Sequence, residues 1–537
     1  MKRKISRIKR TGVIILCAAL LAGCGSTAPE APAAPVQEAV EQAEAAAPKM
    51  EEVTEQAPEQ PETQTEEKTA GGPEWRIVPH PYETDCEWYD ARYETVEITD
   101  DGHEALKQGV AAFMKETEEN FLANAKSQEE EATRENEEIL KEQEGEDNGF
   151  MGLYYSDELN YEIARADERV FCLVSCYYMY FGGAHGGTVW NGVLFDTRTG
   201  ERIEQKTFNP LADRVTEYVL ACIAASADRA KSMLFEDYKV TILNKFADGV
   251  ENTSLWLTNG GLSVAFNEYE IAPYASGTII FEIPYQSLDG FPEEYLPEGE
   301  FYTVGIDPSG FATKFDVNGD GKGEYVWLQT VTDQETYFST YTLNIGNEQF
   351  TFDKEETWYC EPNFIHTADG EYFLVSFSGM DDWTTTDLYE AAGDRRLLGS
   401  CNGSPALIRD GTVTIHTRTD AFGTWTVEKE YTYGKDGLKT TETSERLNND
   451  PAERGDEARS IKLKKPLSYH RTQGAKDSDG VLDPGTELYP VTAYPDEIEF
   501  VTKDGRRAFF TYTTEDYTHY VDGVAEYDLF EELPYAG

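Results

Sequence analysis

With 537 residues, the chain has room for two to four domains at about 100–200 residues each. It carries 101 Asp and Glu against 46 Lys and Arg, a formal net charge of −55, which argues against nucleic-acid binding because phosphates would be repelled. The same charge suits a solvated extracellular surface or attraction to a cationic partner, and 12% aromatic content with 32 Tyr favours packed, β-rich domains.

The first segment is basic and then apolar. Lys2, Arg3, Lys4, Arg7, Lys9 and Arg10 precede the apolar run Val13 to Leu21, which is shorter than the about 20 residues a spanning helix needs. That is the layout of an export signal. Its closing Leu21-Ala22-Gly23-Cys24 resembles the bacterial lipobox. The resemblance implies a signal peptide over 1–23 and a diacylglyceryl thioether on Cys24, whose two acyl chains anchor stably where one is marginal. The expected location is the extracytoplasmic face of the cell membrane. Residues 24–74 then read as lipidated cysteine and disordered acidic stalk: 25–73 hold eleven Glu, two Lys and almost no large apolar side chains, too little to offset chain entropy.

Beyond Cys17 and Cys24, six cysteines remain: Cys86, Cys172, Cys176, Cys222, Cys360 and Cys401. They are sparse and lack small-scaffold spacing. Cys172 and Cys176 lie about 13 Å apart if their segment is extended, too far for a direct bridge. Free thiols are expected, and the sequence leaves any pairing open.

Order begins near Trp75. Tyr93 to Ile98 alternates as a strand, and a helix follows Asp101 with Leu106, Val110, Phe113, Met114 and Phe121 at helical spacing. The acidic stretch 116–147 continues it and is expected to project into solvent. Strands are predicted at Asn160–Ala164, Val170–Phe181 and Thr188–Asp196, a second helix near Asn209-Pro210 with Leu211, Val215, Val219 and Ile223 on one face, and strands at Leu262–Phe266 and Thr278–Ile283. Residues 75–300 thus read as an α+β domain with a mainly antiparallel sheet.

Two segments in this domain carry candidate chemistry. Tyr177 to Thr188 places His185 among four glycines between two strands. A strand rather than a helix follows, which rules out a phosphate loop. His185 either works as an acid or base near neutral pH or holds the loop by hydrogen bonds. The second segment, Gly261 to Gly277, runs strand, loop, strand, with Tyr269, Glu270 and Tyr274 as a polar-aromatic patch. Tyr180, His185, Tyr269, Glu270 and Tyr274 are the candidate ligand-binding residues. The stretches Gly-Gly-Ala-His-Gly (182–186) and Tyr-Glu-Ile-Ala-Pro-Tyr-Ala-Ser-Gly (269–277) resemble the extracellular domain shared by the RsiV-type anti-sigma factor and the PdaC-type peptidoglycan deacetylase. The resemblance covers about 90–290 and implies a binding module. Lysozyme recognition is implied only loosely, and the deacetylase's catalytic domain has no counterpart here.

From 301 to 447 short strands recur between Gly, Asp and Asn turns, including Thr336–Ile345, Glu371–Phe377, Thr412–Thr419 and Thr424–Tyr433. An all-β region, propeller-like or sandwich, is expected. Within it, Asp316, Asn318, Asp320, Lys322 (through its carbonyl) and Glu324 space oxygen ligands around a Gly-rich turn. The spacing resembles the calcium loop of FG-GAP repeats and makes Ca²⁺ the one cofactor expected. Trp358, Trp383 and Trp425 are strand residues that could stack on sugars. Residues 448–465 read as a linker, and 466–537 as a small unit resembling an SH3-like barrel.

The whole reads as a surface lipoprotein. It would bind an envelope ligand, peptidoglycan or a cell-wall-acting cationic protein such as lysozyme, without catalysis. The competing readings are a glycan-acting enzyme using His185 with Glu270, and a passive protein-interaction scaffold.

Overall fold

Strand β4 (Val170–Phe181) shows how the first domain is assembled. Its first five residues, Val170, Phe171, Cys172, Leu173 and Val174, are all buried, so the period-two alternation of a half-exposed strand fails there. Phe171 and Leu173 enter one hydrophobic core, and Val170, Cys172 and Val174 enter another on the opposite face of the sheet. The sheet is therefore covered on both sides. The computed structural model describes residues 72–142, 152–251, 253–379, 384–447, 449–454 and 458–535. The export segment, Cys24, the stalk as far as residue 71, residues 143–147 of the acidic stretch and Trp383 lie outside the described residues.

The five-stranded sheet runs β1 (Trp75–Pro81), β2 (Tyr89–Ile98), β3 (Tyr155–Ala166), β4 and β5 (Gly187–Asp196), in that spatial order. Strands β2 and β3 are parallel and the other pairs antiparallel. The parallel step is made by the long helix α1 (Glu104–Glu142), as a parallel crossover requires an intervening element. Leu106, Val110, Met114 and Phe121, four residues that mark the helix in the sequence, are buried against the sheet.

The acidic half of α1 does more than face water. Glu118 accepts a hydrogen bond from the Tyr93 hydroxyl at 2.6 Å, Glu129 from Tyr82 at 2.7 Å, and Glu135 from Tyr155 at 2.6 Å. Three glutamates thus turn down onto tyrosines at the sheet, which corrects the expectation of a wholly solvated stretch.

On the other face lie helices α2 (Ala212–Ala225), α3 (Asp228–Met233) and α4 (Tyr238–Phe246), with the three-stranded sheet β6 (Ser254–Leu257), β7 (Gly261–Phe266) and β8 (Ile279–Pro284). Val215, Val219 and Ile223 of α2 are buried, as their spacing predicts. Phe311 belongs to this same core, and the Tyr218 hydroxyl donates to the Lys314 carbonyl while accepting from the Lys314 amide. The first domain is fastened in this way to the strands that follow.

Those strands form antiparallel sheets stacked face to face. A four-stranded sheet beginning at Thr313–Phe315 and a five-stranded sheet that includes Thr357–Thr367 and Gly370–Gly379 share one core, with Val326, Leu343, Phe364, Phe373 and Val375 all buried. The C-terminal strands do not close into an SH3-like barrel. Glu445–Leu447 pairs with Glu487–Ala493, so strands on either side of residues 448–465 belong to one nine-stranded sheet. Within 448–465, Ile461–Leu463 is itself a strand of that sheet, and the Asn449 side chain bonds Arg459 and Pro490. The six cysteines from Cys86 onward are free. Among the described residues no helix is long and apolar enough to cross a membrane.

Candidate functional site

Tight packing around glycine shapes the loop between β4 and β5. A Cβ on Gly186 would sit 2.4 Å from the Tyr178 ring, so only glycine lets the loop fold back onto that side chain. The Tyr180 hydroxyl donates to the Gly183 carbonyl at 2.9 Å and ties the other end. His185 projects from this loop toward the loop joining β7 to β8.

Three of the predicted residues meet there. The His185 ring stacks on Tyr274 with centroids 3.8 Å apart and planes 19° from parallel. Its Nδ1 lies 2.7 Å from the Gly186 carbonyl, and its Nε2 3.0 Å from the Tyr269 hydroxyl. A carbonyl oxygen only accepts, so Nδ1 carries the proton and Nε2 accepts from Tyr269. Both ring nitrogens are occupied. Tyr269 is 57% exposed and holds φ at +67°, a region that bulky side chains seldom enter. The return of the loop uses Gly277 at φ +64° and ψ −162°, a conformation essentially confined to glycine.

Two neighbours of the candidates complete the join. Glu268 Oε2 accepts from the Thr188 amide at 3.1 Å, and Asn267 Oδ1 from the Trp190 amide at 3.2 Å. Side-chain acceptors thus serve alternate amides at the start of β5, where a neighbouring strand would otherwise serve them.

Glu270 is engaged elsewhere. Its Oε2 accepts from Lys245 Nζ of α4 at 2.6 Å and from the Asn267 amide at 3.2 Å, and no hydrogen bond joins it to His185. Lys245 also lies 5.2 Å from the centroid of Phe266. The pair borders an open groove of 540 Å³ lined by Thr241, Asn244, Lys245, Asp248, Gly249 and Glu270. Nearby Cys176 is no activated nucleophile: burial first, then Glu162, Glu158 and Glu268, push its thiol up to about 11.

Sequence reasoning did not find Lys245 or α4. The i, i+4, i+8 spacing of Tyr238, Ile242 and Phe246 is a helical signal, but nothing local announces a partner 25 residues away. Asn267 and Glu268 sit inside the segment the sequence singles out, where their role depends on β5 being alongside.

In the loop at 316–324, Asp316 Oδ1 accepts from the amides of Gly319 at 2.8 Å and Asp320 at 3.1 Å, and Oδ2 from Gly321 at 2.6 Å. Asn318 accepts from Asp320, Asp320 from Lys322, and Glu324 from Val317. These bonds close the loop on its own amides. Among the described residues no group of three His, Cys, Asp or Glu side chains is arranged to hold a metal. Of the three tryptophans, Trp425 is core, 6% exposed with Nε1 donating to the Ala421 carbonyl, and Trp358 is exposed at a strand irregularity.

A sheet covered by a long helix on one face and by three helices with a small antiparallel sheet on the other, with two loops locked at its end, defines an α+β domain. Residues 83–188 match the family model described as Deacetylase PdaC, and residues 208–286 match that of a protein of unknown function, DUF3298. The two matches bear out the resemblance carried by the 182–186 and 269–277 segments and mark a domain of the extracellular, envelope-associated type. The join between His185 and Tyr269 is therefore a contact between the two matched segments. Solved structures similar to the chain include a DUF3298 family member from Bacteroides fragilis NCTC 9343, 15% identical, covering 42% of this chain and 95% of its own with a TM-score of 0.33. Another is a DUF3298 family protein from Pseudomonas aeruginosa PAO1, 15% identical, covering 42% and 98% with a TM-score of 0.29. No curated protein matches the chain.

Proposed function

We propose that this chain is a lipid-anchored surface protein that captures an envelope ligand, peptidoglycan or a cationic cell-wall-acting protein such as lysozyme, without catalysing a reaction. The observation that carries the reading is the shelf of His185, Tyr269 and Tyr274. It is an aromatic surface held in one geometry, with the histidine fully used in holding it. Exposed tyrosine offers a large, rigid contact area at low entropic cost. The net charge of −55 supports a cationic partner, whose approach it would speed. The enzymatic alternative through His185 and Glu270 has no geometric support, because the carboxylate is committed to Lys245.

The deciding experiment is co-sedimentation of the full chain with insoluble peptidoglycan, alongside capture on immobilised lysozyme at low salt. Retention on one of them that falls in Tyr274→Ala supports capture by the shelf. Failure to bind either removes both partners. Anchoring is tested separately: Cys24→Ala should move the protein from the membrane fraction to the soluble one, and membrane retention of that variant would count against lipidation.

A further inference from the structure

The Tyr269 turn stands at an energetically poor backbone angle and most of its ring faces solvent, so something else must hold it where it meets His185. The turn is closed by two backbone hydrogen bonds, Tyr269 N to Ala272 O and Glu270 N to Asn267 O, each 3.0 Å. Its far side is anchored by the buried Ile271 and Ala272, with the Phe235 amide donating to the Ile271 carbonyl at 2.9 Å, and its near side by Asn267 and Glu268 on the amides of β5. The tie that reaches α4 is the Glu270 carboxylate. It accepts from the Asn267 amide and so caps the turn from within, and it meets Lys245 at 2.6 Å and so fastens the turn to α4. Lys245 has a 13% exposed side chain and rests against Phe266, at the end of the strand from which the turn departs. Lys245, Glu270, Tyr269, His185 and Gly186 form an unbroken line of contacts from a helix of one matched segment to the glycine loop of the other.

We propose that Lys245 and Glu270 are positioning residues: their ion pair sets the Tyr269 turn so that its hydroxyl reaches His185 Nε2, and through that contact it fixes the orientation of the ring and the shape of the shelf. The assignment rests on the capture reading for its purpose, but its physical content does not. Imidazole nitrogen spectra report the hydrogen bond at Nε2 with no ligand present, so the two can fail separately.

The test uses the full chain with its seven histidines labelled with nitrogen-15, the His185 signals being assigned by their loss in His185→Gln. The native protein should show a protonated Nδ1 and an unprotonated Nε2. In Lys245→Met, Tyr269 leaves Nε2, and the His185 Nε2 resonance should shift as it loses its donor, with Nδ1 still protonated against the Gly186 carbonyl, while the other histidines keep their signals. Lys245→Arg, which keeps the charge, should restore the native pattern. Where lysozyme or peptidoglycan binds the native chain, the Met variant should bind it about 5-fold or more weakly. Because the pair borders an open groove, water can reach the Glu270 left behind. Should Lys245→Met nonetheless fail to fold, Glu270→Gln decides, since it weakens the tie to Lys245 while keeping an acceptor for the Asn267 amide. An unchanged His185 Nε2 resonance in whichever variant folds overturns the proposal.

Discussion

At the scale of single residues, the site trades backbone ease for presentation. Tyr269 at φ +67° bears a steric cost of about 1–2 kcal/mol that glycine would not. Its hydroxyl returns about 0.5–1.5 kcal/mol through the bond to His185. Tyr269→Gly should therefore change unfolding free energy by no more than about 1 kcal/mol in denaturant titration, while abolishing capture in the sedimentation assay. A large loss of stability would mean that the tyrosine belongs to the fold and not to a binding surface. Of the candidate residues, His185, Tyr269 and Tyr274 were legible in the sequence because they sit in unusual local strings. The use of Glu270 was not, since a carboxylate takes its role from whichever cation the chain brings beside it.

Elements show the same division between pattern and partner. The apolar stripe of α1 could be read directly from spacing, yet the glutamates between its turns gave no sign of tyrosine partners contributed by β2, β3 and the residue just after β1. Each of those hydrogen bonds joins a phenol to a carboxylate and should contribute about 1 kcal/mol where partly exposed. Tyr93→Phe and Tyr155→Phe should each lower the unfolding free energy by that amount in denaturant titration. Their effects should add, because Glu118 and Glu135 lie far apart along the helix. The loop at 316–324 has the spacing of a calcium site, and its oxygens accept from its own amides. If calcium binds, the melting temperature rises with calcium concentration by mass action, and Asp316→Ala removes the rise. A native melt indifferent to millimolar calcium would leave the loop an amide-capped turn.

Across the whole molecule, buried phenols set an alkaline limit. Burial first, then the hydrogen bond to Glu129, push Tyr82 up to about 12, and burial with neighbouring carboxylates raises Tyr89, Tyr93, Tyr155 and Tyr389 above their ordinary value. The folded state holds these protons more tightly than the unfolded chain, whose phenols titrate near about 10. Their contribution to stability is therefore complete below about pH 10 and is lost as pH rises toward and beyond about 12. A spectrophotometric titration at alkaline pH should show an exposed class of tyrosines ionising first, and a second class ionising only together with unfolding by circular dichroism. A single smooth titration with no accompanying unfolding would contradict the buried tyrosine networks.

The sequence by itself determined the domain class, the long helix and central strands of the first domain, and the two loops that matter. Each of these is written in local period, composition or a short string. Only the tertiary structure decided how the sheets of the β-rich region stack, that the last strands extend a shared sheet without closing a barrel, and that Glu270 pairs with Lys245 and His185 with Tyr269. Sheet order and side-chain partners are settled by long-range packing and by competition among many acidic groups for few cations. A chain carrying 101 carboxylates and 46 basic side chains leaves that competition open until the fold resolves it.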